Sequence, residues 1–330
     1  MRTVSLLDRE TLEELVARYD IGQLLEQRPA SHGIENRNYF ITTARDGVRR
    51  DWVLTVLEQP SHAGSSYVPL LDLCHESGLP VAPVIRNVEN SAIESVDGKS
   101  AMLSPMLPGQ HADNPSVEQI RALGHFIGDF HRATRRPRFD VPGYPRNARW
   151  LRNRESEVRG HMADADARLV AHAVKRVGDL LDREDVARLP PGLVHGDLFR
   201  DNVLFEGPML TGVVDFHHAA WGYLVYDLAV AANDWCSGPD GVLDPGRAAA
   251  LVEAYHRVRP LTRPEIDRLP GFLLYAGLAF WLSRLTVALK TDSDSTVRLK
   301  DPDEFRAIVA DRSARSADYR FLFRVAFTLR

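Results

Sequence analysis

The sequence predicts an α+β protein with two lobes, a small antiparallel β lobe over residues 1–109 and a larger, mostly helical lobe over residues 110–330. Short strand patterns separated by Asp-Gly turns dominate the first region, whereas amphipathic helical patterns dominate the second. Between them, the segment 105–109 carries two prolines and a glycine, a composition that interrupts regular structure. A chain of 330 residues is long enough to bury a core in each lobe.

The small lobe is predicted to begin with a helix whose N-cap is Asp8, because an Asp side chain can accept a hydrogen bond from the first helical turn. Asp46-Gly47 and Asp97-Gly98 predict tight hairpin turns. The predicted elements, in order, are a helix over 7–19, strands over 38–43 and 52–57, a helix over 67–77, strands over 81–88 and 92–96, and a strand from 101.

Apolar residues at helical spacing predict the larger lobe, with Ser116 as the N-cap of its first helix. His125 and His131 on that helix are interpreted as surface or packing residues. The predicted elements are a helix over 117–132, a charged helical region over 149–188, a hairpin over 203–214, and helices over 224–235, 247–258, 264–268 and 273–289, with a last one after 300.

Composition agrees with a soluble enzyme of the cytoplasm. Hydrophobic residues make up 44% and charged residues 26% of the chain, and the net charge of −4 predicts neither a nucleic-acid partner nor a membrane surface. Cys74 and Cys236 lie far apart in the sequence, which favours reduced thiols. No apolar run approaches the roughly 18 residues of a membrane span, and acidic residues come too early for a signal peptide. Either a monomer or a homodimer fits these properties.

Three oxygen-bearing side chains surround the predicted hairpin. Asp197 follows His195 by two residues, Asn202 follows Asp197 by five, and Asp215 ends the second apolar run of the hairpin. Because a hairpin brings its two ends together, we expect Asn202 and Asp215 to lie side by side, with Asp197 facing the gap that they border.

This set of side chains suits phosphoryl transfer, in which a protein holds metal ions on phosphates and orients one hydroxyl. The amide oxygen of Asn202 and the carboxylate of Asp215 are hard donors that match Mg²⁺, and Asp197 can accept the proton of an attacking alcohol. The spacing H-x-D-x-x-x-x-N followed by an Asp resembles the catalytic loop and metal-binding Asp of protein kinases. A lone H-x-D could be explained as two ordinary solvent-exposed loop acids and a cap. That interpretation does not explain four matched positions on a predicted hairpin.

In a lobe of the protein-kinase type, the loop at residues 31–37 would cover the nucleotide phosphates. Gly33, Asn36, Arg37 and Asn38 are the candidates there, although one glycine makes a weak motif and a polar hairpin loop explains each residue equally well. Thr55 stands where a kinase carries its phosphate-binding lysine. Two interpretations remain open: another cation such as Arg37 holds the phosphates, or the chain is a nucleotide-binding pseudokinase.

The segment 101–109 is expected to link the lobes and to pair its backbone with adenine, while Met102 and Met106 pack against the ring. Ser104 is a further candidate contact. Ordinary core packing is the competing interpretation of its methionines. Farther along, Asp227 lies in Tyr-Asp-Leu-Ala at the start of a helix, where an acid orients the catalytic loop in kinase-like folds. We therefore expect a hydrogen bond between Asp227 and His195.

Several longer stretches resemble the homoserine kinase family of the choline-kinase-like type. They include GIENRNYFITT from Gly33, HGDLFRDNVLF from His195, YDLAVAANDWC from Tyr226, FWLSRL from Phe280 and KDPDEF from Lys300. The resemblance extends nearly end to end. The family also resembles this chain at residues 53–55, where it has V-L-T and other related kinases have V-L-K. It implies a bilobal protein-kinase-like fold of the aminoglycoside phosphotransferase and choline kinase type, with ATP- and Mg²⁺-dependent phosphorylation of the L-homoserine hydroxyl.

The chain departs from the family pattern at Gly196, a small change that keeps Asp197. Departures at His217-His218 and Ala279 could alter the substrate pocket and leave other acceptors open, including another amino alcohol, an aminoglycoside or choline. An amino acid substrate needs an acid for its ammonium group and a forked cation for its carboxylate. Asp234 and Arg284 are the candidates, and a helix-end acid and a helix salt bridge are the competing interpretations.

Overall fold

The computed structural model describes residues 7–30, 36–57, 66–291 and 300–328. It divides into two compact units. The smaller unit comprises Met1–Gly109, Pro137–Asp140 and Thr211–His217, and the larger comprises Gln110–Arg136, Val141–Leu210 and His218–Arg330.

The smaller unit is built on a five-stranded antiparallel sheet in which the fifth strand along the chain lies between the third and the fourth. Alternate residues of the central strands are buried, among them Tyr39 and Ile41 on one strand and Leu54 and Val56 on the next, as period-two patterning requires. The elements are α1 (Arg9–Val16), β1 (Gln23–Pro29), β2 (Asn36–Arg45), β3 (Val48–Leu57), α2 (Tyr67–Glu76), β4 (Glu94–Val96) and β5 (Lys99–Pro105).

Local signals predicted most of this unit correctly. Asp8 caps α1 by accepting a hydrogen bond from the Thr11 backbone N–H at 2.8 Å. Asp46 and Gly47 both adopt positive φ, at 53° and 78°, between the paired residues Arg45 and Val48. That conformation is the tight turn that the Asp-Gly pair predicted, because a following glycine adopts it without strain.

Two features of the sheet differ from the prediction. Residues 81–88 form no regular strand and contribute one isolated bridge, between Ile85 and Leu103, because Pro83 lacks a backbone donor. The edge strand β1 was not predicted, since its residues are mostly exposed and end in Pro29.

The larger unit is mainly helical, and its longest helix, α9, packs against α4, α5, α7, α10 and α11. Its elements are α3 (Val117–Ala133), α4 (Ala148–Val158), α5 (Asp164–Leu181), α6 (Glu184–Ala187), β6 (Pro191–Val194), β7 (Val203–Glu206), β8 (Met209–Val213, which continues into the smaller unit), β9 (Ala220–Tyr223), α7 (Val225–Trp235), α8 (Pro245–Val258), α9 (Arg263–Lys290), α10 (Pro302–Ala314) and α11 (Ser316–Thr328). The hairpin of β7 and β8 is confirmed, and β6 pairs with β9.

The prediction of separate helices over 264–268 and 273–289 is wrong. One helix of 28 residues runs through Pro270, and most of its side chains between Leu269 and Leu282 are buried. Packing on several sides offsets the hydrogen bond that proline removes. By length and composition α9 could also cross a membrane, but 67% of its most apolar stretch is buried within the protein.

Helices α3 and α8 approach closely because α3 presents glycines at the contact. A Cβ placed on Gly124 would lie 2.4 Å from the backbone oxygen of Leu251, and one on Gly128 would lie 2.7 Å from Val258. The close approach brings the C-terminal end of α3, including His131, against α8.

Candidate active site

The segment between β6 and β7, residues 195–202, is termed the catalytic loop. It leaves a buried strand, since Leu193 and Val194 are almost fully enclosed. Gly196 adopts φ +79°, and a Cβ there would approach the Tyr144 ring and the His218 backbone oxygen at 3.2 Å. Glycine therefore suits the sharp turn that carries the chain from His195 to Asp197.

Asp227 fixes the beginning of this loop from α7. Its two carboxylate oxygens accept hydrogen bonds from the backbone N–H groups of His195 and Gly196, each at 2.8 Å. The predicted hydrogen bond between Asp227 and His195 is thus confirmed, and it is made by the backbone of His195. A buried carboxylate that accepts two N–H donors holds them firmly because water does not compete for it.

His131 completes this arrangement, and its role was not apparent from the sequence. Its Nε2 lies 3.1 Å from Asp227 and its Nδ1 lies 2.8 Å from the hydroxyl of Tyr255, with the imidazole fully buried. Burial lowers the pKa of His131 below 6.5, against the opposing effect of Asp227. We assign the neutral ring with a proton on Nε2. The Asp227 carboxylate can only accept a hydrogen bond from Nε2, whereas the Tyr255 hydroxyl can donate to Nδ1.

Asp197 and Asn202 lie in direct contact within the loop. The side-chain nitrogen of Asn202 donates to the Asp197 carboxylate at 2.9 Å and to the Asp197 backbone oxygen at 2.7 Å. This pairing sets the orientation of the amide, so its carbonyl oxygen is the atom that can act as a metal ligand. The five-residue spacing therefore places a proton acceptor beside a hard oxygen donor.

Asp215 lies in the smaller unit, just after β8. Its φ of +68° is unusual for a residue other than glycine, and the carboxylate contacts the ring of the buried His217. The other non-glycine residues with positive φ in the described ranges, Asp46, Asn90 and Asp97, lie in or beside tight turns. A strained backbone that carries a 38% exposed carboxylate is a feature of functional sites. Its carboxylate is a suitable Mg²⁺ ligand in chemical type.

The predicted phosphate-binding residues lie on the sheet of the smaller unit, except Gly33, which falls outside the described residues. Asn36, Arg37 and Asn38 begin β2, and Thr55 stands opposite Asn38 on β3, with its hydroxyl 2.7 Å from the Asn38 side-chain oxygen.

At the predicted adenine segment, Ser104 lies near the end of β5 and Met106 follows that strand. Met102 is buried, in agreement with core packing, whereas Met106 is 41% exposed.

The two predicted substrate residues both form ion pairs in the larger unit. Asp234 binds Arg200 through both carboxylate oxygens, at 3.2 Å each. Arg284 binds Glu304 at 2.6 Å and the backbone oxygen of Asp301 at 2.6 Å, in both cases through Nη1. Arg200 was not singled out from the sequence, since an arginine in a loop has no distinctive spacing.

An antiparallel five-stranded unit together with a helical unit that carries the His-x-Asp-x-x-x-x-Asn loop defines a protein-kinase-like phosphotransferase fold. Residues 26–261 match the phosphotransferase enzyme family, and the chain belongs to that family. The resemblance inferred from the motifs is thereby confirmed.

Individual relatives agree with this assignment. The chain is 38% identical to the homoserine kinase of Pseudomonas aeruginosa strain PAO1 over 313 residues, which covers 94% of the chain and 96% of the relative. Among solved structures, a microcompartment-associated aminopropanol kinase matches with a TM-score of 0.67 at 18% identity, covering 97% of this chain and 98% of that one. The amicoumacin kinase hAmiN, solved in complex with AMP-PNP, Ca²⁺ and Ami, matches with a TM-score of 0.66 at 14% identity, covering 97% of this chain and 94% of that one.

Proposed function

We propose that the chain is an ATP- and Mg²⁺-dependent kinase that transfers the γ-phosphoryl group of ATP to the side-chain hydroxyl of L-homoserine. The observation that carries this proposal is the contact between Asp197 and Asn202 in a loop held by Asp227. The homoserine kinase activity of a relative that matches nearly end to end supports the choice of acceptor.

In the proposed mechanism, Asp197 orients the acceptor hydroxyl and takes up its proton as the oxygen attacks phosphorus. Asn202 keeps the Asp197 carboxylate in one orientation through its side-chain nitrogen. Asn202 and Asp215 would hold Mg²⁺, which neutralises charge on the phosphate oxygens when it is bound. Asp227 contributes by fixing the backbone on which Asp197 is mounted, since small misplacements of a catalytic group are costly.

Nucleotide binding is proposed for residues 31–38, with Gly33, Asn36, Arg37 and Asn38 around the phosphates. Thr55 cannot supply the usual lysine charge, so Arg37 is the proposed cation. Ser104 and Met106 are the proposed contacts of the adenine ring.

Arg284 is the proposed ligand of the substrate carboxylate. Its ion pair with Glu304 and its hydrogen bond to Asp301 are both made by Nη1, whereas a forked carboxylate contact uses Nε and Nη2. An Arg284→Ala variant is expected to raise the KM for L-homoserine, and an unchanged KM would remove Arg284 from the pocket.

A panel of acceptors tests the proposed function. ADP release would be measured with L-homoserine, with 4-hydroxybutyrate, which lacks the ammonium group, with 3-amino-1-propanol, which lacks the carboxylate, and with choline and an aminoglycoside. We expect the highest kcat/KM for L-homoserine, with losses of about 100-fold or more when either charged group is removed, because a buried partner is then left unpaired.

Two results would contradict the proposal. A clear preference for choline, an aminoglycoside or the amino alcohol without a carboxylate would reassign the acceptor. Nucleotide-induced thermal stabilisation without phosphoryl transfer to any alcohol would instead indicate the pseudokinase.

A further inference from the structure

Helix α7 holds the end of the catalytic loop as well as its beginning. The backbone N–H of Arg200 donates to an oxygen of Asp234 at 2.8 Å, and the guanidinium of Arg200 binds both oxygens of the same carboxylate at 3.2 Å. The Asp234 side chain is only 7% exposed, so this carboxylate is enclosed by the loop that it binds.

The contacts along α7 follow the helical repeat. Asp227 and Asp234 are seven residues apart, which is about two turns, so both project from the same face. Asp227 accepts the N–H groups of residues 195 and 196, Asp234 accepts that of residue 200, and the indole N–H of Trp235 donates to the Leu198 backbone oxygen at 3.0 Å. Helix α7 therefore holds the loop at residues 195, 196, 198 and 200.

Arg200 also reaches beyond α7. Its Nη1 donates to the backbone oxygen of Asp113 at 2.9 Å, and its Nη2 lies 3.9 Å from Glu304. The guanidinium is thus engaged by protein groups on several sides. Burial raises the pKa of the Asp234 carboxyl, and the Arg200 guanidinium opposes that rise.

We propose that Arg200 and Asp234 are a pair of positioning residues for phosphoryl transfer, and that Asp234 does not bind the substrate ammonium. Arg200 lies three residues after Asp197 and two before Asn202. Displacement of its backbone N–H moves Asn202, and Asn202 transmits the displacement to the Asp197 carboxylate through their hydrogen bond. The inference rests on the proposed phosphoryl transfer but not on which alcohol accepts the phosphoryl group.

The test uses the full-length enzyme with ATP and with whichever acceptor of the panel the wild type phosphorylates fastest. Asp234→Asn and Arg200→Gln each remove the ion pair, and Arg200→Lys keeps the positive charge. We expect kcat to fall about 30- to 100-fold in the first two variants, with the acceptor KM changed less than about threefold, because a catalytic carboxylate misplaced by 1 Å can lose that much rate.

Three comparisons separate positioning from simple loss of stability. Arg200→Lys should recover part of the lost kcat, and the double variant should lose no more than the worse single variant, because the two residues act as one unit. Arg306→Gln is the matched control, since Arg306 pairs with Asp166 at 2.6 Å between α10 and α5, and its kcat should equal that of the wild type.

The alternatives give different readouts. A rise in the acceptor KM on Asp234→Asn with kcat preserved would overturn the proposal and return Asp234 to the substrate pocket. Wild-type kcat in folded Asp234→Asn and Arg200→Gln, with folding checked by circular dichroism, would also overturn it.

If either variant fails to fold, Arg200→Lys alone decides, with a selective loss of kcat supporting the proposal and wild-type kcat refuting it. A wild type that ignores L-homoserine but phosphorylates another alcohol changes the proposed acceptor and leaves this test intact.

Discussion

Hydrogen bonds to buried partners fix individual residues of the catalytic loop. The side-chain nitrogen of Asn202 donates to the Asp197 carboxylate. Asp227 accepts hydrogen bonds from two backbone N–H groups of the loop and from the imidazole of His131. Directional contacts of this kind fix the position of a carboxylate more narrowly than apolar packing does. Substitutions here are therefore expected to alter turnover as well as stability.

The phosphate-binding cation can be tested at a single position. Because Thr55 carries no charge, we expect Arg37→Gln to raise the KM for ATP about tenfold or more, which corresponds to losing one charge-assisted hydrogen bond of about 1.4 kcal/mol. Arg49→Gln, which removes an exposed arginine paired with Glu26, is the control and should leave this KM unchanged. Equal KM values in both variants would exclude Arg37 from the phosphate site.

His131 should make stability dependent on pH. The unfolded chain binds a proton at His131 near pH 6.5, whereas the folded protein resists it because burial lowers that pKa, so the free energy of unfolding falls as the pH drops below about 6.5. The slope due to one such group is at most about 1.4 kcal/mol per pH unit. Urea unfolding at pH 7.5, 6.5 and 5.5 should show a steeper decline for the wild type than for His131→Gln, and parallel curves would refute the assignment.

The caps and tight turns, which depend on neighbouring residues, were predicted correctly, whereas two short strands that depend on distant partners were not predicted. The Asp8 and Ser116 caps and the Asp-Gly turns follow from neighbouring residues alone. By contrast, β6 and β9 are four-residue strands whose first pair, Pro191 with Tyr223, is separated by 32 positions. Such short strands exist only because tertiary structure brings them together, so periodicity could not predict them.

Gly-to-Ala substitutions are expected to have opposite effects at the contact of α3 with α8 and at an open position of α5. At Gly124 the new Cβ would meet the Leu251 backbone oxygen at 2.4 Å, so we expect a loss of about 1–3 kcal/mol in the free energy of unfolding. At Gly178 in α5 nothing lies within 4 Å, so Ala should stabilise the helix by about 0.5–1 kcal/mol. Chemical denaturation measures both, and a tolerated Gly124→Ala would contradict the packing described.

For the molecule as a whole, the sequence identified residues of the catalytic loop but missed most of the residues that support the loop. The spacing assigned Asp197 and Asn202 to one site, and the structure adds a direct hydrogen bond between them that was not predicted. The position of Asp227 at the start of a helix predicted its bond to His195. The partnership of His131 with Asp227 joins residues 96 positions apart, and that of Arg200 with Asp234 joins residues 34 positions apart. Neither pair has a local spacing that could have revealed it. The joint use of Asn202 and Asp215 as metal ligands stays a prediction.

The central claim is that Asp197 accepts the proton of an alcohol during phosphoryl transfer. The most direct measurement compares the kcat of wild type and Asp197→Asn with ATP, Mg²⁺ and L-homoserine, alongside the thermal stabilisation that ATP produces. We predict that kcat falls by about 10²- to 10⁴-fold while the stabilisation by ATP is retained, because proton transfer is lost and nucleotide binding is not. An Asp197→Asn enzyme that turns over at a rate close to that of the wild type would contradict the account.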